Sequence, residues 1–243
     1  MGYQWSTILG YLPQFFSGAW HTVQITAMAY ALALVLGLLA AVGRDSTIAP
    51  LRWICGAYVE VIRNTPVLLQ IFIVFFGLPS LGLRLSAFSA GIVALGVNVG
   101  AYVSEVFRAG ISSVPRGQRE ACQILALDRS SIFWKVVMPQ AVRAVFPTLV
   151  NFAIITLLGT SLLSAVALPE LTGEALVINA RTLLFVQVFV ILLAFYLTFS
   201  ALISLGGALI GKYAFHPPLP PRQRRGRPLA TLRRHSRRKA VAA

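Results

Sequence analysis

The run from Ile25 to Val42 contains no charged residue, and Thr22 and Val23 extend it backwards. A helix crosses a bilayer with about 20 mostly apolar residues. In hydrocarbon no water satisfies the backbone, so such a run must be helical and its neighbours must fold around it. Further apolar stretches follow at about 53–78, 88–108, 142–168 and 183–210. The second is the least clean, because Glu60, Arg63, Asn64 and Pro66 interrupt it. The expected fold is all-α: a polytopic membrane protein with five transmembrane helices, the first at about 20–43. Composition agrees, with 57% hydrophobic and only 12% charged residues, against about 25% charged in soluble domains.

Five spans put the termini on opposite sides. Lys and Arg favour the cytoplasmic loops. With the N-terminus outside, the cytoplasmic segments hold Arg44 and Arg52, then Arg108, Arg116, Arg119, Arg129, Lys135 and Arg143, then everything from Lys212 onwards. The other side keeps Arg84 and Arg181. This divides the chain into an N-terminal segment outside (1–17), a transmembrane domain (18–211) and a basic cytoplasmic tail (212–243). Of the 21 Lys and Arg residues, ten lie from Lys212 onwards with no acid among them. The net charge of +14 is therefore mostly a property of the tail. Its composition predicts disorder, and it reads as a topological anchor or a lipid-surface contact. The first basic residue is Arg44, so the basic start of a cleavable signal is missing and the first span is expected to be retained.

Several chemistries are excluded. Gly206 to Tyr213 (GGALIGKY) approaches a phosphate-binding loop, but Tyr213 stands where Ser or Thr would ligate magnesium, and no strand precedes it. His21, His216 and His235 are far apart in sequence. Cys55 and Cys122 form no zinc pattern and read as unpaired thiols. No acid/base pair stands out among the seven acids, and neither a cofactor nor catalysis by this chain is expected.

The middle of the chain, 116–139, is too polar to span. Ala121, Cys122, Ile124 and Leu125 are spaced for one face of a short helix. Asp128 can cap a second, Arg129 to Met138, whose apolar face is Ile132, Phe133, Val136 and Val137. Pro139 begins or kinks the next helix. A loop that docks on a partner and a helix pair lying on lipid would both look like this.

The spacing Glu120-Ala121-Cys122, three residues, Ala126, nine residues, then Val136-x-Met138-Pro139 resembles the "EAA" signature of bacterial ABC-importer permeases. That signature has Ala where this chain has Cys122, and Gly where it has Ala126. The stretches Tyr58 to Gln70 (YVEVIRNTPVLLQ), Ala101 to Ile111 (AYVSEVFRAGI) and Val114 to Ala121 (VPRGQREA) are similar to the polar amino acid branch of that family, as are Thr160-Ser161-Leu162 and Pro169 to Thr172 (PELT). The resemblance covers roughly 15–210.

It implies the membrane-spanning subunit of an ATP-driven importer for a polar amino acid or related solute. Implied partners are two copies of an ABC ATPase that binds the ATP, a second permease chain, identical or homologous, and a periplasmic or lipid-anchored solute-binding protein. The implied setting is the bacterial inner membrane. Glu120, Ala121, Cys122, Ala126, Asp128, Phe133, Val136, Met138 and Pro139 would couple the chain to the ATPase. Glu60, Arg63, Asn64, Pro66, Gln70, Thr160 and Ser161 are candidates for the translocation path or its gate. Glu60 with Arg63, and Glu105 with Arg108, lie three apart and can pair on their helices. One departure stands out: many relatives have Lys-Asp before Thr160-Ser161, and this chain has Leu158-Gly159. An ATP-independent channel or secondary carrier is the alternative reading. A third is an interaction protein working through the tail.

Overall fold

The structure, a computed structural model, describes residues 2–215. The basic tail from 216 onwards, with His216 and His235, lies outside the described residues. The main body comprises residues up to Gly207.

A short helix α1 (Gly2–Leu9) leads into α2 (Leu12–Arg44), which has Pro13 in its first turn. Proline has no N–H to leave unsatisfied there and its φ suits a helix start. Next come α3 (Ala49–Arg63), α4 (Val67–Phe72), a π-helical segment (Ile73–Gly77) and α5 (Leu78–Ser80). After these stand α6 (Ala87–Ser113), α7 (Arg116–Ile124), α8 (Arg129–Ser131), a second π-helical segment (Ile132–Val137) and α9 (Met138–Gly159). A 3₁₀ segment (Thr160–Val166), α10 (Leu171–Thr182) and α11 (Phe185–Tyr213) complete the described chain.

Four helices or continuous helical runs are long and apolar enough to cross a bilayer alone: α2, α6, the run Arg129–Val166 and α11. The second expected span, 53–78, is a pair of helices bent by 110° at residues 64–66, so a fifth crossing exists only if the pair counts as one. The cause is local. Pro66 lacks an N–H and drives Thr65 out of the helical region. Asn64 and Thr65 turn their side chains back on the carbonyls of Glu60 and Val61 at 2.7 and 2.9 Å. Helix α10, between the last two runs, has no counterpart among the elements expected from the sequence.

Both π-helical segments end two residues before a proline, Pro79 and Pro139. A wide turn takes up the missing N–H and the clash with the preceding carbonyl. The helix beginning at Arg129 therefore runs through Pro139 without a break, and the second helix of the middle segment is the first part of a 38-residue run.

The centre of the body is the crossing of α2 and α6. A Cβ on Gly37 would lie 2.7 Å from Val103 Cγ1 and 3.0 Å from the Gly100 carbonyl, and one on Gly96 would lie 3.1 Å from the Ala29 carbonyl. The two backbones touch, as small residues permit between membrane helices. Ala33, Ala41, Val99, Val103, Val145 and Leu149 fill the layer beside the crossing and join α9 to it. Phe15, Ala19, Leu171, Ala175 and Ile178 bind α10 to the first half of α2.

Replacing Gly37 with Leu is expected to destabilise the body by about 1–3 kcal/mol, the usual range for overpacking. Gly206→Leu, where no atom lies within 4 Å of the added Cβ, should change stability by less than about 0.5 kcal/mol. Thermal melting of both variants in mild detergent, read by circular dichroism, checks this. Equal melting would refute the backbone contact.

Candidate functional site

The middle segment is the most exposed part of the body. Helix α7 ends at Ile124, and Ala126 then takes a left-handed conformation, φ 55°. The Ala126 N–H reaches the Gln123 carbonyl at 2.9 Å and the Leu127 N–H the Cys122 carbonyl at 3.1 Å. This pair of bonds closes a helix with a residue for which glycine is favoured. The turn thus needs the positive φ that Gly adopts freely, and Ala126 supplies it under strain. Asp128 starts the next helix, its carboxylate accepting from the Ser131 N–H at 3.0 Å. Hydrogen bonds from Ser131 hold the Asp128 carboxyl below its usual range.

The predicted apolar face of α7 divides. Cys122 packs inward with Phe133 against Ile111, Val114, Ile132, Val137 and Met138. Ile124 and Leu125 do not join it: they are 85% and 73% exposed, with Leu127 and Trp134 exposed nearby. The helix is too short for four apolar residues to share one face, because the chain leaves it at Leu125. Glu120, Ala121 and Ala126 are exposed, Val136 is half-buried and Pro139 is exposed. Gln118 and Gln140 tie α7 to α9, Gln140 donating at 2.8 Å. The nine loop residues singled out in the sequence therefore stand on one contiguous segment, with Cys122 and Met138 as its inner anchors.

The second set gathers around the helix break. Gln70 is buried and its amide nitrogen donates to the carbonyls of Ile62 (2.8 Å) and Thr65 (3.2 Å) and to Thr65 Oγ1 (2.7 Å). Its oxygen accepts from Asn98 at 3.0 Å. Gln70 thus satisfies carbonyls that the break would leave bare. Asn98 is the polar residue the sequence reading missed, since one Asn in an apolar span carries no local signal. Glu60, Asn64 and Pro66 are exposed at the break. Thr160 is fully buried with its hydroxyl on the Leu157 carbonyl at 2.7 Å, and Ser161 is half-buried. Helix α4 packs against the 3₁₀ segment that these two residues begin.

The expected Glu60–Arg63 pair is replaced. Arg63 turns to Glu105 on α6 at 3.4 Å and lies over the Tyr102 ring. Glu60 instead accepts from the Asn64 side chain at 3.3 Å. Glu105 also receives Arg44 from α2 and, at 3.8 Å, Arg108, its expected partner. One carboxylate thus ties the ends of α2 and α3 to α6. The sequence showed the i, i+3 spacing but not the cross-helix partners.

A further buried carboxylate, Glu170, caps α10. It accepts from the N–H groups of Thr172 (2.9 Å) and Gly173 (2.7 Å) and from the hydroxyls of Tyr196 (3.3 Å) and Thr22 (3.4 Å). Burial pushes its carboxyl above the usual range, against the pull of those N–H donors. Among the described residues no group of His, Cys, Asp and Glu could hold a metal ion.

Since a left-handed residue other than Gly costs about 1–2 kcal/mol, Ala126→Gly should steady the end of α7 by about 1 kcal/mol. Amide hydrogen exchange across 118–127 should slow about fivefold. Faster or unchanged exchange would count against the strained turn.

Comparison with known proteins matches residues 33–212 to the family described as binding-protein-dependent transport system inner membrane component. A probable glutamine ABC transporter permease protein of Bacillus subtilis is 38% identical over 192 residues, 79% of this chain and 89% of the relative. An arginine transport system permease protein of the same organism is 31% identical over 211 residues, 86% and 96% of the two chains. Among solved structures, an amino acid ABC transporter crystallised with histidines aligns at TM-score 0.79 and 32% identity, over 86% of this chain and 97% of that one. A methionine ABC transporter shares the fold at TM-score 0.68 and 20% identity, over 82% and 95%.

Proposed function

The chain belongs to the family of binding-protein-dependent transport system inner membrane components, and from that premise we propose that it forms the translocation path of an ATP-driven importer for a polar amino acid or a close analogue. Relatives of the chain are permease proteins of glutamine and arginine transport systems, and its part in the importer is structural rather than chemical. ATP is hydrolysed on two copies of a separate ATPase. A second permease chain completes the path, and a solute-binding protein delivers substrate from outside. The protein sits in the bacterial inner membrane, with its N-terminus outside and its C-terminus in the cytoplasm.

The observation that carries the coupling role is the exposure of Ile124, Leu125, Leu127 and Trp134 on a polar loop. Water would not favour that arrangement, and a docked ATPase would cover it. Glu120, Ala121, Ala126 and Asp128 shape the docking turn. Phe133, Val136, Met138 and Pro139 join it to the span beyond. Displacement of the loop by the ATPase moves the helical run from Arg129 to Val166 as a unit, which opens the path alternately to each side. On that path lie the residues of the helix break, Glu60, Arg63, Asn64, Pro66 and Gln70, opposite Thr160 and Ser161.

Replacing Ala126 with Glu puts a bulky charged side chain on the strained turn. In proteoliposomes with the ATPase and binding protein, uptake should fall at least tenfold, with ATP hydrolysis no longer stimulated by substrate, or the ATPase should fail to co-purify. Solute movement without ATP, by a chain that purifies alone, would replace the importer with a carrier or channel.

A further inference from the structure

Where α2 gives way to α3, a cleft of about 470 Å³ opens beside the charge cluster. Arg44, Arg52 and Arg108 line it, with Trp53 and Glu60. The three guanidiniums are unequally engaged. Arg44 is held by Glu105. Arg108 reaches Asp45 and Glu105 only at 3.8 Å. Arg52 donates to the Ser46 carbonyl at 3.2 Å, and no carboxylate lies within ion-pair distance of it among the described residues. Arg52 is thus the lining cation without a carboxylate partner among the described residues, and Arg108 is held only at long range.

The apolar part of the lining is open: Trp53 is 74% exposed, with Gly56 and Ala57 beside it on the same helix face. On the functional reading, Trp53 stands at the turn between α2 and the bent pair α3–α4, close to where a bilayer changes from hydrocarbon to headgroup. Aromatic residues favour that level, and basic pockets between membrane helices there suit phosphate headgroups. A water-soluble anion would use the arginines but has no use for the apolar lining.

We propose that this cleft binds the headgroup of an anionic phospholipid. Arg52 and Arg108 hold the phosphate, since guanidinium forks match its oxygens. Trp53 lies along the glycerol and the first acyl carbons. The inference rests on the functional reading only in placing the α2–α3 turn at a membrane face.

Native mass spectrometry of the full chain, purified in mild detergent with its co-expressed partners, tests it. The probes are dioleoylphosphatidylglycerol, the matching phosphatidylcholine and soluble glycerol phosphate. The wild type should retain phosphatidylglycerol at collision energies that strip phosphatidylcholine. Arg52→Ala should weaken that retention about fivefold, and Arg84→Ala should leave it unchanged. Arg52→Lys should restore most of it, which separates a lost charge from a lost fold. Retention by Arg52→Ala equal to the wild type would overturn the proposal. So would equal binding of glycerol phosphate, which would make the cleft a site for a free anion. Failure of the importer reading would show instead as an absent ATPase, and lipid retention does not depend on that readout.

Discussion

Two helix backbones in direct contact, α2 and α6, carry the other elements. With Gly37, Gly96 and Gly100 at the crossing there is no layer of side chains between them. In lipid the hydrophobic effect does not drive helices together, so close packing and shared polar contacts must do it. Gly110 repeats the device towards α9, where an added Cβ would lie 2.9 Å from the Ala141 carbonyl. Helices α3 and α10 are then fastened to this pair by polar side chains as well as by packing: Tyr58 reaches the Val97 carbonyl at 2.7 Å, and Thr22 accepts from the Leu171 N–H at 3.1 Å.

The same low-dielectric setting explains where two of the buried polar residues stand. Each is placed where the backbone is interrupted. Gln70 serves the carbonyls at the break near Pro66, and Glu170 serves the first N–H groups of α10. An unmet group there costs more than in water, because no solvent competes to satisfy it. These residues satisfy the backbone where it is irregular, while the apolar helices hold the frame.

Much of this was legible from the residues in order. The apolar runs announced the helices, and Asp128 announced the start of the second loop helix, because caps and hydrophobic runs are local signals. The motif spacing from Glu120 to Pro139 located the loop. The bend at 64–66 was half visible in Asn64 and Pro66, but its angle depends on Gln70, four residues on. Helix α10 escaped notice because its capping residue, Glu170, is unusual for that role and its partners lie some 150 positions away on α2. Arg63 and Arg44 meeting at Glu105 escaped for the same reason: charge pairs between helices leave no periodic trace. Ala126 was recognised as standing in a glycine position, but whether the turn demanded a left-handed residue could be known only from its φ.

The loop is built from two pieces of unequal cooperativity. Helix α7 has nine residues, is mostly exposed, and is held by the turn at Ala126, by Cys122 and by a few side-chain bonds. The helix after Asp128 belongs to a helical run of 38 residues, about 57 Å long. The first piece can open locally at a small fraction of the free energy of global unfolding, whereas the second cannot melt without taking part of a membrane span with it. Local opening at this surface is therefore expected to be one-sided, confined to the chain between Ser113 and Asp128 and stopping where the long helical run begins.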